Sequence, residues 1–133
     1  MICAMSIRAL LLVAVCLLGA SACTNEITAS LELDGTPFQP TSCQSGERNN
    51  FMGVDLIEES GRMLRLANSP ANQPIAIVMV DGTTTEIGPC GQMTVQRQNS
   101  TINDITNVEG NATVECEGKD HSVKGTVTFK NCH

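Results

Sequence analysis

The chain contains no tryptophan and no tyrosine, and its only aromatic side chains are Phe38, Phe51 and Phe129. Sugar-binding and single-strand-binding surfaces lean on exposed aromatic platforms, so carbohydrate and nucleic acid both rank low as ligands. Histidine is scarce too, with His121 and His133 the only two. His121 lies in an expected turn beside Asp120, where a solvated loop residue is the plain reading, and His133 follows a cysteine. Neither C-x-x-C nor H-x-x-x-H occurs, which removes the short paired spacings a zinc site needs. No nucleophile elbow, phosphate loop or calcium loop is present. Glu58-Glu59 is an adjacent carboxylate pair, but neighbours on a strand point to opposite faces, and a solvated hairpin tip accounts for them. No catalytic residue, metal or cofactor is therefore expected.

Long apolar runs are also missing. The longest, residues 9–18, is well short of the roughly 20 residues a spanning helix needs. It follows a single side-chain charge, Arg8, and precedes the small residues Gly19, Ala20, Ser21 and Ala22. A positive start, a short apolar stretch and small side chains before a cleavage point make up a secretory signal. Residues 1–22 are thus expected to be removed, leaving a single domain of residues 23–133. The sequence Ala20-Ser21-Ala22-Cys23 resembles the bacterial lipobox, in which the cysteine is diacylated and becomes the new N-terminus. It departs from that pattern at Ala20, where the family usually has leucine, and Ala20-Ser21-Ala22 also satisfies an ordinary A-x-A cleavage site.

Cysteine arithmetic favours the lipid. Cys3 and Cys16 leave with the signal, so five remain: Cys23, Cys43, Cys90, Cys116 and Cys132. An odd cysteine in an exported protein needs an explanation, and acylation of Cys23 supplies one while leaving an even four. The expected partner is therefore a membrane, reached through that lipid at the outer membrane or cell surface. Loss of Arg8 leaves seven basic against fourteen acidic side chains, a formal charge of −7. Such a field repels nucleic acid and anionic lipid, and would favour a basic protein partner.

Residues 23–133 read with period two throughout. Ile27, Ala29, Leu31 and Leu33 alternate with polar neighbours up to the Asp34-Gly35 turn. Val54 and Leu56 face Leu64 and Leu66 if residues 58–61 turn a hairpin. Residues 75–80 are apolar at every position and predict a strand covered on both faces. Asp81-Gly82 is a two-residue hairpin signal. Met93 and Val95, then Ala112, Val114 and Cys116, and finally Val123, Val127 and Phe129 each mark one face of a strand, with residues 118–121 turning the last hairpin. The expectation is an all-β domain of about eight strands, an antiparallel sandwich or a small barrel.

An exported compartment makes two disulfides the default for the four remaining cysteines. If the last hairpin turns near Asp120, Cys116 lies opposite Lys124, about 27 Å along the strand from Cys132. A disulfide needs Cα atoms within about 7 Å, which disfavours that pair. Cys90 with Cys116 fits if the strand after Cys90 runs antiparallel to the strand before Cys116 around residues 99–107. With Met93 opposite Val114 and Val95 opposite Ala112, a bulge at Gly91 absorbs one residue. Cys43 with Cys132 remains, tying the first loop to the last strand.

A lipobox followed by a small β domain resembles many bacterial lipoproteins. The strand ending Leu33-Asp34-Gly35 and the hairpin Lys119-Asp120-His121-Ser122-Val123-Lys124-Gly125-Thr126 are similar to the mycobacterial 19-kDa antigen type, which implies architecture only. Small periplasmic lysozyme inhibitors are also acidic, lipid-anchored barrels. Their Ser-Gly loop finds Ser45-Gly46 and Ser60-Gly61 here, but the tyrosine that accompanies it has no counterpart. The expected function is that of a noncatalytic envelope lipoprotein, a binding or structural module. The alternatives are an inhibitor of a basic hydrolase and a carrier of a small apolar ligand held in a barrel.

Overall fold

The computed structural model describes residues 24–102 and 105–133, with side chains described for all of these except 99–102 and 105. The described residues form ten strands and no helix, arranged as two antiparallel sheets of five. The first sheet has the order β2-β1-β10-β9-β8, with β1 Glu26–Leu33, β2 Thr36–Phe38, β8 Gln92–Ile102, β9 Ile105–Glu117 and β10 Ser122–Cys132. The second is a simple meander, β3-β4-β5-β6-β7, with β3 Ser42–Ser45, β4 Met52–Ile57, β5 Met63–Asn68, β6 Pro74–Val80 and β7 Thr83–Ile87. The domain is a sandwich. The two strands beyond the expected eight are the short β2 and β3, whose three and four residues are too brief to show a period.

The second sheet follows the sequence pattern closely. Val54 pairs with Leu66 and Leu56 with Leu64, and all four are fully buried. Asp81 and Gly82 adopt φ of 49° and 75° between the paired Val80 and Thr83, the left-handed pair that a two-residue hairpin requires. β6 departs from expectation. Ile75, Ala76 and Val78 are buried, whereas Ile77 and Met79 are only half-buried. Among the described residues no further layer covers that outer face, so an unbroken apolar run here does not mean two covered faces.

Register differs in the first sheet. Cys116 lies opposite Val123, not Lys124. The one-residue change is what burial demands, because it puts two side chains that are each 1% exposed on one face. Met93 pairs with Ala112 and Val95 with Gly110, two residues away from the expected partners. No bulge forms at Gly91, which precedes the ladder. The irregularities fall instead between Arg97 and Thr101 and between Phe129 and Cys132. Much of the expected polar connector continues the two strands, which still pair at Thr101↔Thr106 and Ile102↔Ile105.

The sheets cross steeply. At one end of the β4–β5 hairpin, Glu58 Oε1 accepts the Gln39 N–H at 3.0 Å, beside β2 on one edge of the first sheet. At the other end of β5, Asn68 Nδ2 donates to the Met93 carbonyl at 3.0 Å, on β8 at the opposite edge. The second sheet's strands therefore run across the first sheet's strands, as in orthogonal sandwiches. β3 consequently lies over one end of the first sheet and β7 over the other. Each end is closed by a disulfide. Cys43 on β3 bonds Cys132 with Cα atoms 5.0 Å apart, and Cys90, just after β7, bonds Cys116 at 5.1 Å. The core between them is built from Leu31, Leu33, Phe38, Val108, Val127 and Phe129 of the first sheet against the leucines and valines of the second.

Candidate functional site

The end of the sandwich where β1 begins is held together more elaborately than the other. Its hub is Asn131, which sits at the irregularity near the end of β10 with φ 57°. Asparagine tolerates that left-handed conformation, and the bulge swings its side chain out of the ladder. Asn131 Nδ2 donates to the Thr24 carbonyl at 3.2 Å, and its own carbonyl accepts from Asn25 Nδ2 at 2.7 Å. Asn25 Oδ1 in turn accepts the Cys43 N–H at 3.0 Å. Gln98 completes the network, accepting the Asn131 N–H at 2.8 Å and donating to Asn131 Oδ1 at 2.9 Å. Thr24 and Asn25 are thus fastened to β10 and β3 beside the Cys43–Cys132 bridge.

Next to this hub lies an open cleft of about 680 Å³, lined by Gln44, Ser45, Glu47, Arg48, Asn49, Asn50, Arg97, Thr106 and His133. Its walls come from the β3–β4 hairpin and from the β8–β9 stalk. The β3–β4 turn is tight, with Asn49 and Asn50 at φ 48° and 68° between the bridged Arg48 and Phe51. Glu47 points across the cleft and pairs with Arg97 through two N–H donors. That guanidinium, held by hydrogen bonds more than by charge alone, keeps the Glu47 carboxyl below its usual pKa despite some burial, and the arginine is raised in return. His133 Nδ1 lies 3.0 Å from the buried Asn107 Oδ1. The site offers the Glu47–Arg97 ion pair, several amides and the exposed guanidinium of Arg48. Among the described residues no group of three histidine, cysteine or acidic side chains could hold a metal ion.

The residues singled out in the sequence fall as follows. Cys43 with Cys132 and Cys90 with Cys116 are brought together as expected. Cys23 and the expected signal lie outside the described residues. His121 is not a solvated loop residue. Its Nδ1 lies 2.8 Å from Asp34 Oδ2, and Asp34 Oδ1 also accepts the Ser122 N–H at 2.9 Å, locking the β1–β2 turn to the β9–β10 turn. Burial works against the Asp34 charge, but those two partners outweigh it and hold the carboxyl below its ordinary value. Nor is Glu58 a free tip: it forms an ion pair with Arg62 at 2.7 Å, while Glu59 is exposed.

No protein family, curated protein or solved structure matches this chain. The functional reading therefore rests on the residues themselves. Sequence reasoning missed Asn25, Asn131 and the Arg48–Phe51 turn. The Asn49-Asn50 dipeptide was a usable turn signal, since asparagine is enriched at left-handed positions. Asn25 and Asn131 gave none, because they are 106 residues apart and meet only once β1 and β10 pair.

Proposed function

We propose that this chain is a noncatalytic envelope lipoprotein, exported by residues 1–22 and anchored by a lipid on Cys23, whose sandwich serves as a binding or structural module at the membrane. The observation that supports this most is the cysteine pairing. Cys43, Cys90, Cys116 and Cys132 are used up in two bridges, which leaves Cys23 outside both and available for acylation. The tight attachment of Thr24 fits the same reading, since the residue after the acylated cysteine then belongs to the folded body.

Fractionation of cells expressing the full chain tests the anchor. The wild type is expected in the membrane fraction with diacylglycerol on Cys23 by mass spectrometry, and Cys23→Ser is expected to become soluble. A Cys23→Ser protein that still partitions with membranes overturns the reading.

A further inference from the structure

We infer that the end of the sandwich carrying Asn131 and the Arg48–Arg97 cleft lies flat against the phospholipid headgroups of the bilayer. The inference rests on the proposed lipid at Cys23 and names the surface that the lipid brings to the bilayer.

Tether length is the first argument. Thr24 is bonded to Asn131 and Asn25 to both Asn131 and Cys43, so the chain is fastened to the body from the residue that follows Cys23. One residue spans at most about 3.6 Å. A lipid on Cys23 therefore has no linker over which the domain could swing away, and the rim around Asn131 is held at headgroup depth.

Charge is the second. The rim carries Arg48, Arg97 and Lys130, all exposed, against Glu26, Glu47 and Glu109, so its side-chain charges balance. The opposite end is acidic, with Glu32, Asp34, Glu115, Glu117 and Asp120 against Lys119 and Lys124. The seven-residue rise of β1 from Glu26 to Leu33 separates the two ends by about 24 Å. The Debye length in physiological salt is only about 8 Å. A bilayer surface at the rim thus meets a balanced local charge and feels little of the acidity of the opposite end. Phe51 is the third argument. Phe38 and Phe129 are each 1% exposed in the core, whereas Phe51 is only half-buried on the turn at this rim, opposite Arg48. An aromatic ring beside a cation is the pairing that membrane interfaces favour.

The absence of tryptophan makes the test clean. Gln44 on β3 and Thr84 on β7 are both exposed on the outer face of the same sheet, at its opposite edges. Full-length acylated Gln44→Trp, Phe51→Trp and Thr84→Trp proteins would be reconstituted on vesicles of phosphatidylethanolamine and phosphatidylglycerol with brominated acyl chains. Tryptophan at 44 and at 51 is expected to be blue-shifted and quenched several-fold more than at 84. Adding Arg48→Glu to Gln44→Trp is expected to reduce that quenching without releasing the protein. Proteins that float with the vesicles but are quenched equally at 44 and 84, or more at 84, overturn the orientation alone. Acylated proteins that do not float overturn the anchor reading as well.

Discussion

The outer faces of the two sheets contrast sharply. That of the first is polar along β1, β8, β9 and β10 among the described side chains, with rows such as Thr28, Thr128, Asn111 and Thr94 running from β1 to β8. That of the second carries Ile57, Met63, Ile77 and Met79, all half-buried, around the ion pair of Asp55 and Arg65. Arg65 meets Asp55 in bidentate fashion at 2.5 and 2.8 Å, and the Asp55 side chain is only 4% exposed. The carboxylate's hydrogen bonds raise the Arg65 pKa against the effect of burial. Gly46 makes room for the pair, since a Cβ there would come within 2.9 Å of Asp55 Oδ1. A polar face stays open by being wet, whereas an apolar one has to settle its single charged pair internally.

Cutting the links between the sheets should have the largest effect, because each bridge joins a first-sheet strand to the second sheet or the segment just after it. Removing Cys43–Cys132 with paired serines is expected to cost about 5 kcal/mol, and removing Cys90–Cys116 about 3.5 kcal/mol. The order follows the separations of 89 and 26 residues that the two bridges close. Urea midpoints in the reverse order would contradict it. Next comes the ion pair. Asp55→Ala strands a largely covered guanidinium and is expected to cost about 3 kcal/mol. Lys124→Ala, on the polar face between Glu32 and Glu115, should stay within about 0.5 kcal/mol. Comparable losses for the two would erase the distinction between the faces.

The smallest effect concerns pH. Burial opposes the charge on Glu58, but Arg62, the Gln39 N–H and Ser60 outweigh it and hold the carboxyl below 4.5. Asp34 likewise lies below 3.8, and Glu47 below 4.5. The unfolded chain therefore takes up protons first as pH falls. The stability these groups contribute is present above about pH 5 and drains as pH drops through the ordinary carboxylate values toward the lower folded ones. Glu58→Gln is expected to flatten the fall of the urea midpoint between about pH 5 and pH 3. An unchanged slope would remove Glu58 from the account.

What the residues disclosed on their own follows the same division. The second sheet was legible because its contacts are local: Val54 and Leu56 find Leu66 and Leu64 across a turn whose residues announce it. The two bridges were legible because strand rise sets Cys116 far from Cys132, while pairing of β8 with β9 brings Cys90 toward Cys116. The register of β8 against β9 was not, since Met93, Val95, Ala112 and Val114 satisfy alternation equally well when slid by two residues. Gly110 decides it, because it lets β8 pass at a point where a Cβ would strike the Thr94 carbonyl. The rim was the least legible part. Its side chains are polar and carry no period, and they are assembled from residues near both ends of the chain.

That assembly sets an order of events in folding. β1 has no neighbour on its inner side until β10 arrives, so Glu26 waits for Lys130 and Asn25 for Asn131. Synthesis delivers a chain from its N-terminus, and the meander of β3 to β7 can close on itself before β10 exists. Until then β1 is held only by β2, through Leu31, Glu32 and Leu33. The rim at its start is thus among the last parts of the sandwich to shut.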